Sequence, residues 1–72
     1  MLTSTLKDAI EARRKREIHL PINTNIGVRV SQIASANLRI KAMAQKSNPS
    51  ELARTLMDVG ARSLGFDLEE IL

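Results

Sequence analysis

Apolar positions recur every four residues at the start of the chain, at Leu2, Leu6 and Ile10, with Ala9 and Ala12 between them. That spacing, with good helix formers, predicts a short helix over about 5–16 after Thr3-Ser4-Thr5. Its apolar stripe is thin, and an isolated helix this short is marginal in water. It closes on four cations, Arg13-Arg14-Lys15-Arg16. Two readings of that run stand side by side. One is a charged helix end favoured by the helix dipole; the other is a flexible basic arm that touches DNA phosphates.

From Glu17 the period changes. Ile18, Leu20 and Ile22 alternate with Glu17, His19 and Pro21. After a turn-like Asn23-Thr24-Asn25, the residues Ile26, Val28 and Val30 alternate with Asn25, Gly27, Arg29 and Ser31. Period two with β-branched residues predicts strand, and Asn25–Ser31 is the stronger run. Pro21 confines the first run to an edge strand or an extended arm, because it cannot donate to a central ladder.

Helical spacing returns from Gln32. Ile33, Ala36, Asn37, Ile40, Met43 and Ala44 fall on one face of a helix expected over 32–46, with Ser31 as its N-cap. Asn48, Pro49 and Glu51 fit the N-cap, first and third positions of a second helix over 49–64, with Gly65 as the stop. Gly60 in mid-helix costs about 1 kcal/mol against alanine, which a close helix–helix approach would explain. Met43 and Met57 are expected to fill the core. Phe66, Leu68, Ile71 and Leu72 form an apolar tail that either folds back to cap the core or docks on another protein.

Composition sharpens this picture. The chain has 72 residues, with no cysteine, tryptophan or tyrosine and a single phenylalanine. A fold of that size buries only about 60% of the surface its open chain exposes, so a core shared with a second copy is expected. No apolar run reaches the length of a membrane span, which points to the cytoplasm and away from a membrane. One histidine, His19, cannot build a metal or catalytic site, and the glycines at 27, 60 and 65 form no phosphate loop. No enzyme activity, metal or cofactor is expected.

Charge is distributed unevenly. Residues 1–24 carry +2 and residues 51–72 carry −3, whereas residues 25–50 carry Arg29, Arg39, Lys41 and Lys46 with no acid. No acidic residue occurs between Glu17 and Glu51. A surface without acids suits a polyanion, although a solvated basic face with no partner has the same composition.

One strand, two helices and a capped turn within roughly 40 residues resemble the ribbon-helix-helix family of DNA-binding proteins. The resemblance covers about 25–65 and rests on Ile26-Gly27-Val28-Arg29-Val30-Ser31, Arg39-Ile40-Lys41-Ala42-Met43-Ala44, Ser47-Asn48-Pro49-Ser50-Glu51-Leu52, and Leu56, Val59 and Gly60. It implies a mainly α fold with one short strand per chain, in an intertwined homodimer whose two-stranded antiparallel ribbon enters the major groove of double-stranded DNA. Asn25, Gly27, Arg29 and Ser31 would then face the bases, with Arg29 suited to pair bidentately with guanine. Gly27 departs from the family's usual polar reader. Lys46, Ser47, Asn48 and Ser50, at the second helix N-terminus, would hold a phosphate. Arg13, Arg14, Lys15 and Arg16 would add phosphate contacts from an N-terminal basic arm over 1–24, and 66–72 would be a C-terminal tail.

The function so implied is sequence-specific DNA binding, as a small transcriptional repressor. Plasmid partition, conjugation and antitoxin roles belong to the same family, although an antitoxin usually carries a longer tail. A reading of another class is a protein-interaction module without nucleic acid, which engages a second protein through the arm or the tail. An RNA-binding surface is disfavoured, since only Phe66 could stack on a base.

Overall fold

A computed structural model describes residues 5–70. It contains three helices, α1 (Leu6–Glu17), α2 (Gln32–Ala44) and α3 (Pro49–Ser63). Each begins where a polar side chain takes up an orphan backbone donor. Thr5 Oγ1 accepts from the Asp8 N–H at 3.2 Å, Ser31 Oγ from Ala34 at 3.0 Å, and Asn48 Oδ1 from Glu51 at 2.8 Å. Pro49 follows Asn48 in the first turn of α3, where its missing N–H leaves no bond unmade.

Two of the helices end in a paired backbone lock. After α3, Gly65 turns left-handed at φ 92°, so that Phe66 N–H reaches the Ala61 carbonyl at 3.0 Å and Gly65 N–H that of Arg62 at 3.1 Å. After α2 the same pair of bonds runs from Ser47 to Ala42 at 2.8 Å and from Lys46 to Met43 at 3.1 Å. There the left-handed position is Lys46, at φ 55°. The sequence pattern predicts α2 through residue 46; the chain reverses two residues earlier. Replacing Asn48 by alanine strips a cap and is expected to lower stability by about 1 kcal/mol, read as a shift in the urea midpoint at unchanged slope.

The expected strand is absent. Residues 21–31 have no regular secondary structure, all of them are exposed, and no strand occurs among the described residues. The ribbon-helix-helix fold class is thereby overturned: the described residues are all-α. The physical reason is that alternation of Ile26, Val28 and Val30 marks a segment able to pair, but a ladder needs a second strand, and none of the described residues supplies one. The weaker run is not strand either. Ile18 to Leu20 turn off the end of α1, with His19 N–H on the Arg16 carbonyl at 3.2 Å.

The helix α3 is central, packed against α1 and against α2. The apolar core is small, with Ile10, Ala42 and Leu52 buried and Leu6 and Leu38 packed beside them. Ala61 is also buried. What α3 otherwise turns inward is polar: Thr55 and Asp58 are buried, the Thr55 hydroxyl donating to the Glu51 carbonyl at 2.8 Å. Its apolar residues Leu56, Met57 and Val59 point outward. The same inversion marks α2, which rests on the core through Ala42 and Leu38 while Ile33, Ile40 and Met43 stand 75, 62 and 76% exposed. Neither Met43 nor Met57 fills the core.

The consequence shows in the surface. The chain exposes 5955 Å², whereas a monomer of 8.0 kDa is expected to expose about 4,450 Å².

Candidate nucleic-acid interface

The arginines of α1 are built into the fold. Arg13 is 6% exposed and forms the hub of an ionic network. Its Nε donates to Glu17 Oε2 at 2.7 Å, its Nη1 to Glu69 Oε1 at 2.7 Å, and its Nη2 to the other oxygen of Glu69. Asp58 on α3 lies 3.8 Å from Nη1. The two bonds to Glu69 are the parallel fork that matches a guanidinium to a carboxylate. Arg16 reaches Asp67 at 3.1 Å, Glu69 at 3.2 Å and Asp58 at 3.8 Å. Arg54 bonds Glu17 at 2.8 Å, and Arg62 bonds Asp58 at 3.1 Å. The seam between α1, α3 and the tail is therefore held by charge in the places where an apolar core would be expected.

Asp58, Asp67 and Glu69 bring their oxygens within 4.8 Å of one another, a spacing that can hold a cation. Arg13, Arg16 and Arg62 already supply positive charge there, and this cluster is part of the network.

Arg14 points the other way. Its guanidinium grips Glu51 with bonds of 2.8 and 2.7 Å, and Nη2 reaches the Lys46 carbonyl at 3.4 Å. Ser47 Oγ donates to the same carboxylate at 2.5 Å. Hydrogen bonds from Arg14 and Ser47 hold the Glu51 carboxyl down to about 2, from an ordinary 4.5. Asn48 caps the Glu51 N–H, but the Glu51 side chain does not bond back to Asn48, because its carboxylate serves Arg14 and Ser47. A charged Glu51 at the α3 N-terminus occupies the place where the family resemblance puts a phosphate, beside Lys46, Ser47, Asn48 and Ser50.

The other network carboxylates follow the same sign. Bonds from Arg13 lower Glu69, and the Glu69 backbone N–H with Arg16 lowers Asp67. Burial pushes Glu17 up, but Arg54 and Arg13 outweigh it and the net direction is down. A carboxylate lowered in the fold is protonated first in the open chain, so its stabilisation is complete above the unfolded value and is lost as pH falls through the folded one. Stability is expected to decline from about pH 4.5 toward pH 2, measured as urea midpoints. Glu51→Gln should flatten part of that decline and cost on the order of 1 kcal/mol at neutral pH, discounted because Arg14 is half exposed.

The remaining expected site residues fall into two groups. Asn25, Gly27 and Arg29 lie on the exposed segment 21–31. A Cβ on Gly27 would meet nothing within 4 Å. The hydroxyl of Ser31 is engaged in capping α2, and Asn48 in capping α3. Lys15, Lys46 and Ser50 are exposed.

Five arginines, at 13, 14, 16, 54 and 62, thus satisfy five acids, at 17, 51, 58, 67 and 69. Among the described residues, Arg29, Arg39, Lys41 and Lys46 enter no ion pair, and all four are exposed. Lys7 and Lys15 also enter no ion pair among the described residues, but they share α1 with Asp8 and Glu11, whereas the four cations at 29–46 share their segment with no acid. Arg39 and Lys41 lie outside both the ribbon and the helix N-terminus that the family resemblance emphasises. The acid-free stretch is the signal in the sequence that includes them.

Compared with family models, curated proteins and solved structures, the chain matches none. No helix among the described residues is long and apolar enough to cross a membrane.

Proposed function

We propose that this chain binds double-stranded DNA as a homodimer, through phosphate contacts from Arg29, Arg39, Lys41 and Lys46. The observation that carries this reading is the pairing pattern, which matches five acids with five arginines of α1 and α3 and leaves four unpaired cations in one acid-free stretch. Such a surface attracts a polyanion at long range and releases counterions on contact.

Lys46 adds support. A lysine in the left-handed region carries a steric cost of about 1–2 kcal/mol that glycine avoids. Its side chain makes no ion pair among the described residues. Its backbone serves the turn after α2, while its exposed ammonium is free to meet a phosphate.

The dimer accounts for the outward apolar faces. The occupant is a second copy, seated on Ile33, Ile40 and Met43 of α2 and on Leu56, Met57 and Val59 of α3. Gly60 lies between Leu56 and Leu64 on that side of α3, and open space of at least 4 Å stands over it.

Lys46→Gly tests it in one variant. Stability should rise by about 1 kcal/mol, while affinity for a random duplex should fall. The slope of log K against log salt should become shallower by about 0.9 for each phosphate that Lys46 no longer neutralises. Unchanged DNA affinity would remove Lys46 from the interface; a wild-type chain that binds no duplex at low salt would remove the function.

A further inference from the structure

We propose that the C-terminal tail, residues 65–70, is a built-in competitor for the polyanion, and that DNA displaces it to recruit Arg16 and Arg62 as further phosphate contacts. The inference rests on the DNA-binding reading above and deepens it. The tail has no regular structure beyond a turn, in which Glu69 N–H bonds Asp67 Oδ1 at 2.9 Å and Glu70 N–H the Asp67 carbonyl at 3.2 Å. Its apolar residues do not anchor it, since Phe66 and Leu68 are both about half exposed. What attaches it beyond the Gly65 turn is ionic: Glu69 on Arg13, Asp67 and Glu69 on Arg16, and Asp67 on Arg62 at 3.9 Å.

Those carboxylates present pairs of acceptor oxygens to guanidinium groups, which is the geometry a phosphate presents. With the tail docked, Arg13, Arg16, Arg54 and Arg62 face Glu17, Asp58, Asp67 and Glu69, and the cluster is neutral. With the tail released, the same cluster carries two unbalanced positive charges. Arg16 and Arg62 keep part of their side chains in solvent even when paired, so phosphates can reach them. Arg13 is buried and stays with Glu17 and Asp58.

The test compares the full chain with Asp67→Asn/Glu69→Gln on a random-sequence duplex over a range of salt. With no carboxylates to displace, the variant should bind about tenfold more tightly or better at low salt, at a similar slope of log K against log salt, because both complexes end with Arg16 and Arg62 on phosphates. Identical affinity in both proteins would overturn the competitor and leave DNA binding standing. No binding by either protein would overturn DNA binding itself, and the competitor with it. Asp67→Asn alone removes a half-exposed carboxylate and keeps the Arg13–Glu69 fork, so it guards against loss of fold in the double variant. Hydrogen exchange at the Glu69 and Glu70 amides of the wild type supplies an independent readout. Faster exchange on adding duplex supports displacement, and unchanged or slower exchange contradicts it.

Discussion

Ile40→Glu is expected to convert the homodimer to monomers. In the single chain Ile40 is exposed and stands outside the apolar core, so a glutamate there should shift monomer stability by no more than about 0.5 kcal/mol. In the proposed dimer the same position would be covered, and a symmetric interface would receive the substitution twice. An unpaired buried carboxylate costs several kcal/mol, so the dimer dissociation constant should rise by about 10³-fold or more. Sedimentation equilibrium reads this directly, as a fall from twice 8.0 kDa to the single mass, with far-UV circular dichroism reporting the helices. A surface with no partner would show no change in mass. The contrast is large because the chain places polar residues inside and apolar residues outside: Arg13, Thr55 and Asp58 are buried while Ile33, Ile40 and Met43 are not.

The second large effect is on DNA. Changing Arg29, Arg39, Lys41 and Lys46 together to alanine should leave the fold and the dimer intact, because none of these side chains enters the ionic network among the described residues. Each phosphate released from a cation takes about 0.9 from the salt slope, and the variant gives up as many as four such cations per chain. Affinity for random duplex at low salt should fall by roughly 10³-fold. The variant also separates two sources of positive charge. If the α1 arginines carried the binding, the effect would be small, since Arg13, Arg14 and Arg16 remain.

How much of this is legible in the sequence differs by element. The three helices and their ends are, because caps are local chemistry: Thr5, Ser31 and Asn48 each find a donor three residues on, and Gly65 takes the left-handed turn its position predicts. The left-handed Lys46 is not, since nothing in a lysine announces that conformation. The strand over 25–31 fails for a different reason. Alternation records which side chains are apolar, not whether another backbone lies alongside. The faces of α2 and α3 are misread in the same way. Periodicity finds the apolar stripe of Ile33, Ile40 and Met43, and carries no information on whether α3 or a second copy meets it.

The ionic network is half visible. The opposite charges of the two ends, +2 and −3, are plain, but the pairing of Arg13 with Glu69 spans 56 residues and has no local signature. Reading the arginine run alone leaves it free to contact DNA. The fold instead commits three of its four members to carboxylates and leaves only Lys15 of the run unpaired.

The most direct test of the central claim is amide mapping by nuclear magnetic resonance, with ¹⁵N-labelled protein titrated with a short random duplex at low salt. Shift changes are expected to cluster within residues 25–46, around Arg29, Arg39, Lys41 and Lys46, with a second set in the displaced tail at 65–70. Shift changes absent from 25–46, or no change with duplex in excess, would contradict the claim.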